Sequence, residues 1–404
     1  MKKFLSLITI VCLLCGVLLT TSCGEPKAPA GTVTRVTIDM NPSIELLIDE
    51  QGKVISAVGL NDDGALIVAG EAFEGKTAVE ALELALTVAS ETGYLVKGNA
   101  ENALKLSVSG EGEYAESLAD KLEGRAKKLF RSLKISGTVE VVEALKTETL
   151  RAFVANASLY TEEELSDKTD KELYHLLAEG RTETALVLTD DMRETFLSEK
   201  TNKINLARKK AIADIIEELG EAQLVTLAAY EAAIEAYSDA IDALESLRYE
   251  TLLAPDSAYQ TSLTALREAK TELLKKRTYT ASLEVGDSKY AEAKISLALS
   301  ETAYETALAA YEALGSSANE AIDLLVAAVR SAEEALRELE GTIFSADLKK
   351  ELSERTLEIE AALFSARAEF FADFEEAHGD DVRAVKEALI KQKAELKEAI
   401  SSNK

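Results

Sequence analysis

Two places in the 404-residue chain carry residue types able to do chemistry on the chain itself. One is Cys23, at the end of Leu19-Thr20-Thr21-Ser22-Cys23-Gly24, where small residues leading into a lone thiol suit attachment of a diacylglyceryl group to sulfur. The other is Asn41-Pro42. An Asn side-chain amide can attack its own backbone carbonyl, close a succinimide and expel the next residue's nitrogen as an amine. Proline helps, because its tertiary amide has a weaker trans preference and twists more readily than other peptide bonds. Residue types alone leave two roles open for this dipeptide: a bond that cuts itself, or an Asx-Pro turn between two strands.

Other chemistry lacks its residues. His175 and His378 are the two histidines and lie far apart, with no HExxH, CxxC, GxSxG or phosphate-cradling glycine loop. Each reads as a surface or groove residue and not a ligand. Carboxylate pairs such as Glu333-Glu334 and Glu375-Glu376 are what a solvated acidic helix supplies. The sequence thus predicts no cofactor, no metal, no small-molecule substrate and no enzyme beyond a cut in its own backbone. Cys12, Cys15 and Cys23 are all the cysteines, which leaves the chain after Cys23 without a disulfide or thiolate site. With 72 acidic against 45 basic residues the net charge is −27, so the chain repels phosphate backbones and nucleic acid is excluded as a partner. The lack of Trp and an aromatic content of 5% argue against a carbohydrate-binding face.

The elements around Cys23 are a targeting segment. Lys2-Lys3, an apolar run over 4–19 and the small-residue Cys site predict a signal peptide over 1–22, too short to read first as a membrane span. Leu19 sits one place further from Cys23 than in the commonest lipobox. Residues 23–31, with Pro26 and Pro29, read as a lipidated tether, giving an extracytoplasmic protein lipid-anchored to the bacterial cell membrane.

The elements around Asn41-Pro42 are strands. Val36, Ile38 and Met40 alternate with Arg35, Thr37 and Asp39, which predicts a strand over 33–40 with one buried side, and 44–48 repeats the pattern. Asp49-Glu50-Gln51-Gly52-Lys53 is a hairpin turn, 54–60 a third strand and Asn61-Asp62-Asp63-Gly64 another turn. Thr77 caps a helix through Val79, Leu82, Leu86 and Ala89 that Gly93 closes; a strand over 104–108, a helix over 114–133 and a strand over 138–142 follow. The expectation is an α+β domain over 32–145, with the order three strands, helix, strand, helix, strand, and helices on one face of a mostly antiparallel sheet.

Residues 146–220 read as connecting helices, with Ser158, Thr161 and Thr189 as caps. Over 221–404 the pattern becomes an all-α antiparallel helical-hairpin or coiled-coil region. Leu227, Tyr230, Ile234, Tyr237, Ile241 and Leu244, and again Ile322, Leu325, Val329, Ala332, Leu336, Leu339 and Ile343, recur at three and four residues among charged ones. Pro255, Gly286, Gly315, Gly341 and Gly379 interrupt the pattern and predict fold-back points. Tyr290, Leu297, Tyr304 and Tyr311 repeat every seven residues, a stripe that reads as core with hydroxyls at its rim.

The segment 36–46, Val-Thr-Ile-Asp-Met-Asn-Pro-Ser-Ile-Glu-Leu, with Asp49-Glu50-Gln51-Gly52-Lys53-Val54-Ile55-Ser56, Asn61-Asp62-Asp63-Gly64, Gly75 to Ala81 and Thr92-Gly93-Tyr94-Leu95, resembles the extracytoplasmic middle domain of RsgI-like anti-sigma factors. The resemblance covers roughly 32–142. It implies self-cleavage at the Asn-Pro bond with the two pieces staying paired in the sheet, and only Asn41 and Pro42 take that role here. It also implies a cytoplasmic sigma-holding domain and a transmembrane helix, in whose place this chain has its signal peptide and Cys23. The expected function is a surface lipoprotein whose RsgI-like domain links a lipid anchor to a helical module that senses or binds an unidentified protein. The alternative is a passive adhesion or spacer lipoprotein in which Asn41-Pro42 is an inert turn.

Overall fold

The computed structural model describes residues 32–110, 112–142 and 190–402 apart from 221–223, with short pieces between 150 and 176. Residues 1–31, which hold the expected signal peptide and Cys23, lie outside these residues, as do His175, Ser158, Thr161 and Thr189.

Strands β1 (Thr34–Asp39), β2 (Ser43–Ile48), β3 (Val54–Gly59), β4 (Ala103–Ser109) and β5 (Thr138–Val142) form one sheet in the order β3-β2-β1-β4-β5. Neighbours are antiparallel except β4 and β5, which are parallel and joined across helix α3 (Gly112–Ser132). The first strand in sequence is therefore the middle strand of the sheet. It pairs with β2 from Thr34↔Ile48 to Asp39↔Ser43, and with β4 from Arg35↔Ser109 to Asp39↔Lys105.

One sheet face packs on α2 (Ala78–Glu91) and α3. Thr77 and Glu80 close a reciprocal capping box at the start of α2, and the hydrogen bonds from Thr77 hold the Glu80 carboxyl below its ordinary pKa. The three- and four-residue spacing then turns Leu82, Ala85, Leu86 and Ala89 onto Val36, Ile38, Leu46 and Leu106, with Leu118, Leu122 and Phe130 of α3 alongside. Each large side chain so buried contributes about 1.5–3 kcal/mol.

Two features depart from the periodic pattern. Asn61-Asp62-Asp63-Gly64, expected as a turn, opens a short helix α1 (Asp62–Val68), because the Asn61 side chain accepts the Gly64 N–H at 2.7 Å and so acts as its N-cap. Asx turns and N-caps share this side-chain bond, which is why the residues fit both. Arg35, expected on an open face, is only 3% exposed and ion-pairs with Glu45, itself 1% exposed. The reason is a second cover: Val33 and Leu47 on that face pack against Leu150, Val154, Ala155, Leu165 and Leu173.

From residue 190 on, the described residues are mainly helical: α4 (Asp190–Glu218), α5 (Leu224–Arg248) running into a π-helical turn (Tyr249–Leu253), α6 (Ala258–Ala281), α7 (Tyr290–Ile343), α8 (Ala346–Glu354) and α9 (Thr356–Ser402). Leu227, Tyr230, Ile234, Tyr237, Ile241 and Leu244 of α5 are all buried, in one core with Ile322, Val329 and Leu336 of α7. Pro255 and Gly286 fall at breaks, but Gly315 and Gly341 lie inside α7 and Gly379 inside α9. A mid-helix glycine costs only about 1 kcal/mol, which the buried seam outweighs; the chain folds back instead at Phe344-Ser345, where Ser345 caps α8. Of the tyrosine stripe, Tyr311 is half-buried and lies on Tyr259 with ring centroids 4.9 Å apart. Among the described residues no helix is long and apolar enough to cross a membrane.

Candidate functional site

With Asp39 paired to Ser43, only Met40, Asn41 and Pro42 remain to reverse the chain between β1 and β2. Met40 and Pro42 are buried and Asn41 is exposed. The Met40 N–H donates to the Pro42 carbonyl at 2.8 Å, while Pro42 has no N–H to return the bond. So tight a turn forces Asn41 into the left-handed region at φ +44°, a conformation Asn tolerates better than most side chains. Asp39 accepts the Asn41 N–H at 3.3 Å, which fixes the approach to the apex. Asn41 and Pro42 thus sit where the strand pattern puts them, and the bond between them joins an exposed residue to one locked in the core.

The residue after that bond is clamped. Ser43 donates its N–H to Asn61 Oδ1 at 3.1 Å and accepts the Leu60 N–H at 2.8 Å. Gly64 is required beside it: a Cβ there would stand 1.9 Å from the Ser43 carbonyl oxygen. Asn61 and Gly64 are therefore positioning residues for the turn. Their spacing in the sequence reads only as a separate turn, since nothing local points to Ser43.

Helix α1 is gripped in turn by the helical region. Leu274, Leu389 and Leu396 pack on Ala65, Leu66 and Ala69. Asp63 accepts the Tyr94 hydroxyl at 2.7 Å and ion-pairs with Lys270; burial, then the Asp63 charge, pushes the Tyr94 hydroxyl's pKa well up. On α9, the Lys393 ammonium donates to the Ala69 carbonyl and to that of Ile67 at 3.3 Å, the C-terminal end of α1, where the helix dipole favours a cation. Burial lowers the Lys393 pKa, opposed by Glu71 at 3.3 Å. Lys397 adds an ion pair to Glu91 at 2.9 Å.

His378 on α9 is buried, its ring centroid 4.6 Å from that of Phe374, and burial lowers its pKa. Among the described residues no group of three His, Cys, Asp or Glu could hold a metal ion.

Residues 33–173, from the strand that carries the turn to the segment covering the far sheet face, match the family model for the anti-sigma factor RsgI-like central domain. The sheet domain is thus of the kind that the segment 36–95 resembles. Two curated relatives from Acetivibrio thermocellus share similarity with the chain: anti-sigma-I factor RsgI6, 25% identical over 187 residues, and anti-sigma-I factor RsgI3, 30% identical over 119. These alignments take in 45% and 30% of this chain, which spans 24% and 18% of the two relatives. The family match ends before α4, so the helical region stands outside it.

Proposed function

We propose that the protein is an extracytoplasmic lipoprotein in which the RsgI-like domain, cut between Asn41 and Pro42, joins a lipid anchor on Cys23 to a helical sensing or protein-interaction module. One observation carries this reading: Asn41, left-handed and exposed, precedes a buried Pro42 whose following residue is clamped by Asn61 and Leu60. Backbone held in a sparsely populated region stores on the order of 1–3 kcal/mol and is a feature of functional sites. The Asn41 side-chain nitrogen attacks its own carbonyl carbon and the bond to Pro42 breaks. The proton lost by the amide goes to the proline nitrogen, which leaves as a secondary amine. Water then opens the cyclic imide.

After the cut, residues 23–41 would keep the lipid and β1, and the rest of the protein would hold on through β1 and the residues that flank it, Val33 and Met40. Two hydrogen-bonded ladders, the buried Val36, Ile38 and Met40, and the Arg35–Glu45 ion pair all bridge the break. The names of the two relatives support a regulatory role; holding a sigma factor is no part of the proposal.

Purified residues 24–404 should run under denaturing conditions as a large fragment beginning at Pro42, while native mass retains both pieces. Asn41→Gly permits the same backbone without the amide and should leave one intact, folded chain. Wild-type protein that keeps full mass after days at neutral pH would reduce Asn41-Pro42 to a turn and the protein to a spacer. Cys23→Ala should abolish lipid labelling and membrane fractionation; unchanged fractionation would place the anchor elsewhere.

A further inference from the structure

Helices α4, α5 and α9 leave a cleft of about 690 Å³ between them, within the roughly 300–1,000 Å³ typical of small-molecule sites. Phe370, Phe374 and Tyr249 give it an aromatic wall, and Phe196 packs behind Phe370 and Phe374 at ring centroid distances of 5.3 and 5.0 Å. Tyr249 begins the π-helical turn that ends α5; such single turns recur at functional sites because the extra residue re-aims the side chains that follow.

Charge in the cleft is unbalanced. Five carboxylates line it against two lysines. Glu199 is pushed up to about 7, chiefly by burial and then by the neighbouring Glu245, with Arg248 and Lys203 pulling the other way. Burial raises Glu245 as well, although Lys203 pairs with it at 3.1 Å. His378 lines the same cleft at 7% exposure, and its Nδ1 has no hydrogen-bond partner. A buried imidazole nitrogen left so is costly, and burial disfavours the charged form of the ring, with Asp381 acting the other way.

We propose that this cleft binds an organic cation, a primary ammonium group carried on an aromatic or branched apolar body. The ammonium sits against Glu199 and Glu245 with His378 as a hydrogen-bond acceptor, and the apolar body lies against Phe370, Phe374 and Tyr249, away from water. An anion would meet five carboxylates against two lysines, and a neutral apolar molecule would leave Glu245 Oε1 and His378 Nδ1 without hydrogen bonds. The site lies outside the family-matched residues and does not depend on any cut at Asn41.

Calorimetric titration of residues 24–404 at pH 8 with phenethylammonium should give saturable heat. Phenylacetate and 2-phenylethanol, matched in body and differing in charge, should bind at least roughly tenfold more weakly. Glu199→Gln keeps the side-chain shape and should weaken phenethylammonium binding by a similar factor with the circular dichroism spectrum unchanged; Phe374→Ala should do the same if it folds. No saturable heat at millimolar ammonium, equal binding in Glu199→Gln, or tighter binding of phenylacetate would each overturn the proposal.

Discussion

The glycines around the Asn41-Pro42 turn and those of the helical region are used in opposite ways. Beside the turn a Cβ on Gly64 would stand 1.9 Å from the Ser43 carbonyl oxygen, and one on Gly59 would stand 2.1 Å from the Ala65 nitrogen. Main chain lies directly on main chain there, and no flexible side chain can yield. In the helical region Gly286 and Gly341 have nothing within 4 Å, and Gly315 meets only the Tyr259 ring at 3.3 Å. Side chains do the packing there, and helix backbones stay far enough apart to accept a methyl group. The difference teaches where rigidity is concentrated: around the turn at Asn41-Pro42, on the side of the molecule whose backbone has the least freedom to adjust.

The sharpest way to break this comparison is Gly64→Ala. Pushing α1 off Ser43 should cost about 4 kcal/mol or more, read as a drop in the urea midpoint; a mild effect would mean that α1 is not seated on β2 as described. Glu45→Ala comes next, since removing one member of a buried ion pair costs about 3–5 kcal/mol. Replacing Arg35 and Glu45 together by leucine should recover most of that loss, and failure to recover it would show that the pair contributes more than its own neutralisation.

A pH dependence tests the helical region. Glu199 ordinarily titrates at 4.5 and is raised to about 7 in the folded chain, so the folded state holds its proton more tightly than the unfolded one. The stability this contributes is complete below 4.5 and is lost as pH rises to about 7. Burial raises Glu245 in the same direction, which adds to the slope. Denaturation midpoints should therefore fall across that window, and Glu199→Gln should flatten the fall; an unchanged slope would move its cause to other groups. The smallest effect is a gain: Gly341→Ala should stabilise the chain by about 1 kcal/mol in the same assay, because the helix interior prefers Ala and nothing stands in the way.

Elements whose partners are local were legible in the sequence. The Thr77–Glu80 cap, the hairpin at Asp49, where Asp49 Oδ1 accepts from Gln51 at 2.9 Å and Lys53 at 2.7 Å, and the buried face of α5 all follow from residues a few places apart. What escaped depends on distant chain. Alternation puts Arg35 on an open face, because nothing near it says that Leu150, Val154, Leu165 and Leu173 will cover that side. Gly315 and Gly379 read as breaks because glycine weakens a helix locally, whereas the burial that outweighs it comes from helices far off in sequence. For the candidate site, the dipeptide was visible and its support was not. Asn61 and Gly64 hold Ser43 from eighteen or more residues away, and α9 holds α1 from the far end of the chain.

Load would reach β1 in a particular direction. A pull on the residues before Thr34 draws the strand away from its Asn41 tip, while the helical region resists through α1, which is bonded to Ser43 at that same tip. The strand is thereby loaded in shear: it must slide along both neighbours, and the ladders to β2 and β4 strain together instead of opening one bond at a time. Grip applied at the Ile48 end would instead peel the same contacts in sequence at lower force. Placing the helical region's hold on α1 makes the middle strand hardest to withdraw along the line on which the two ends of the chain would be tugged.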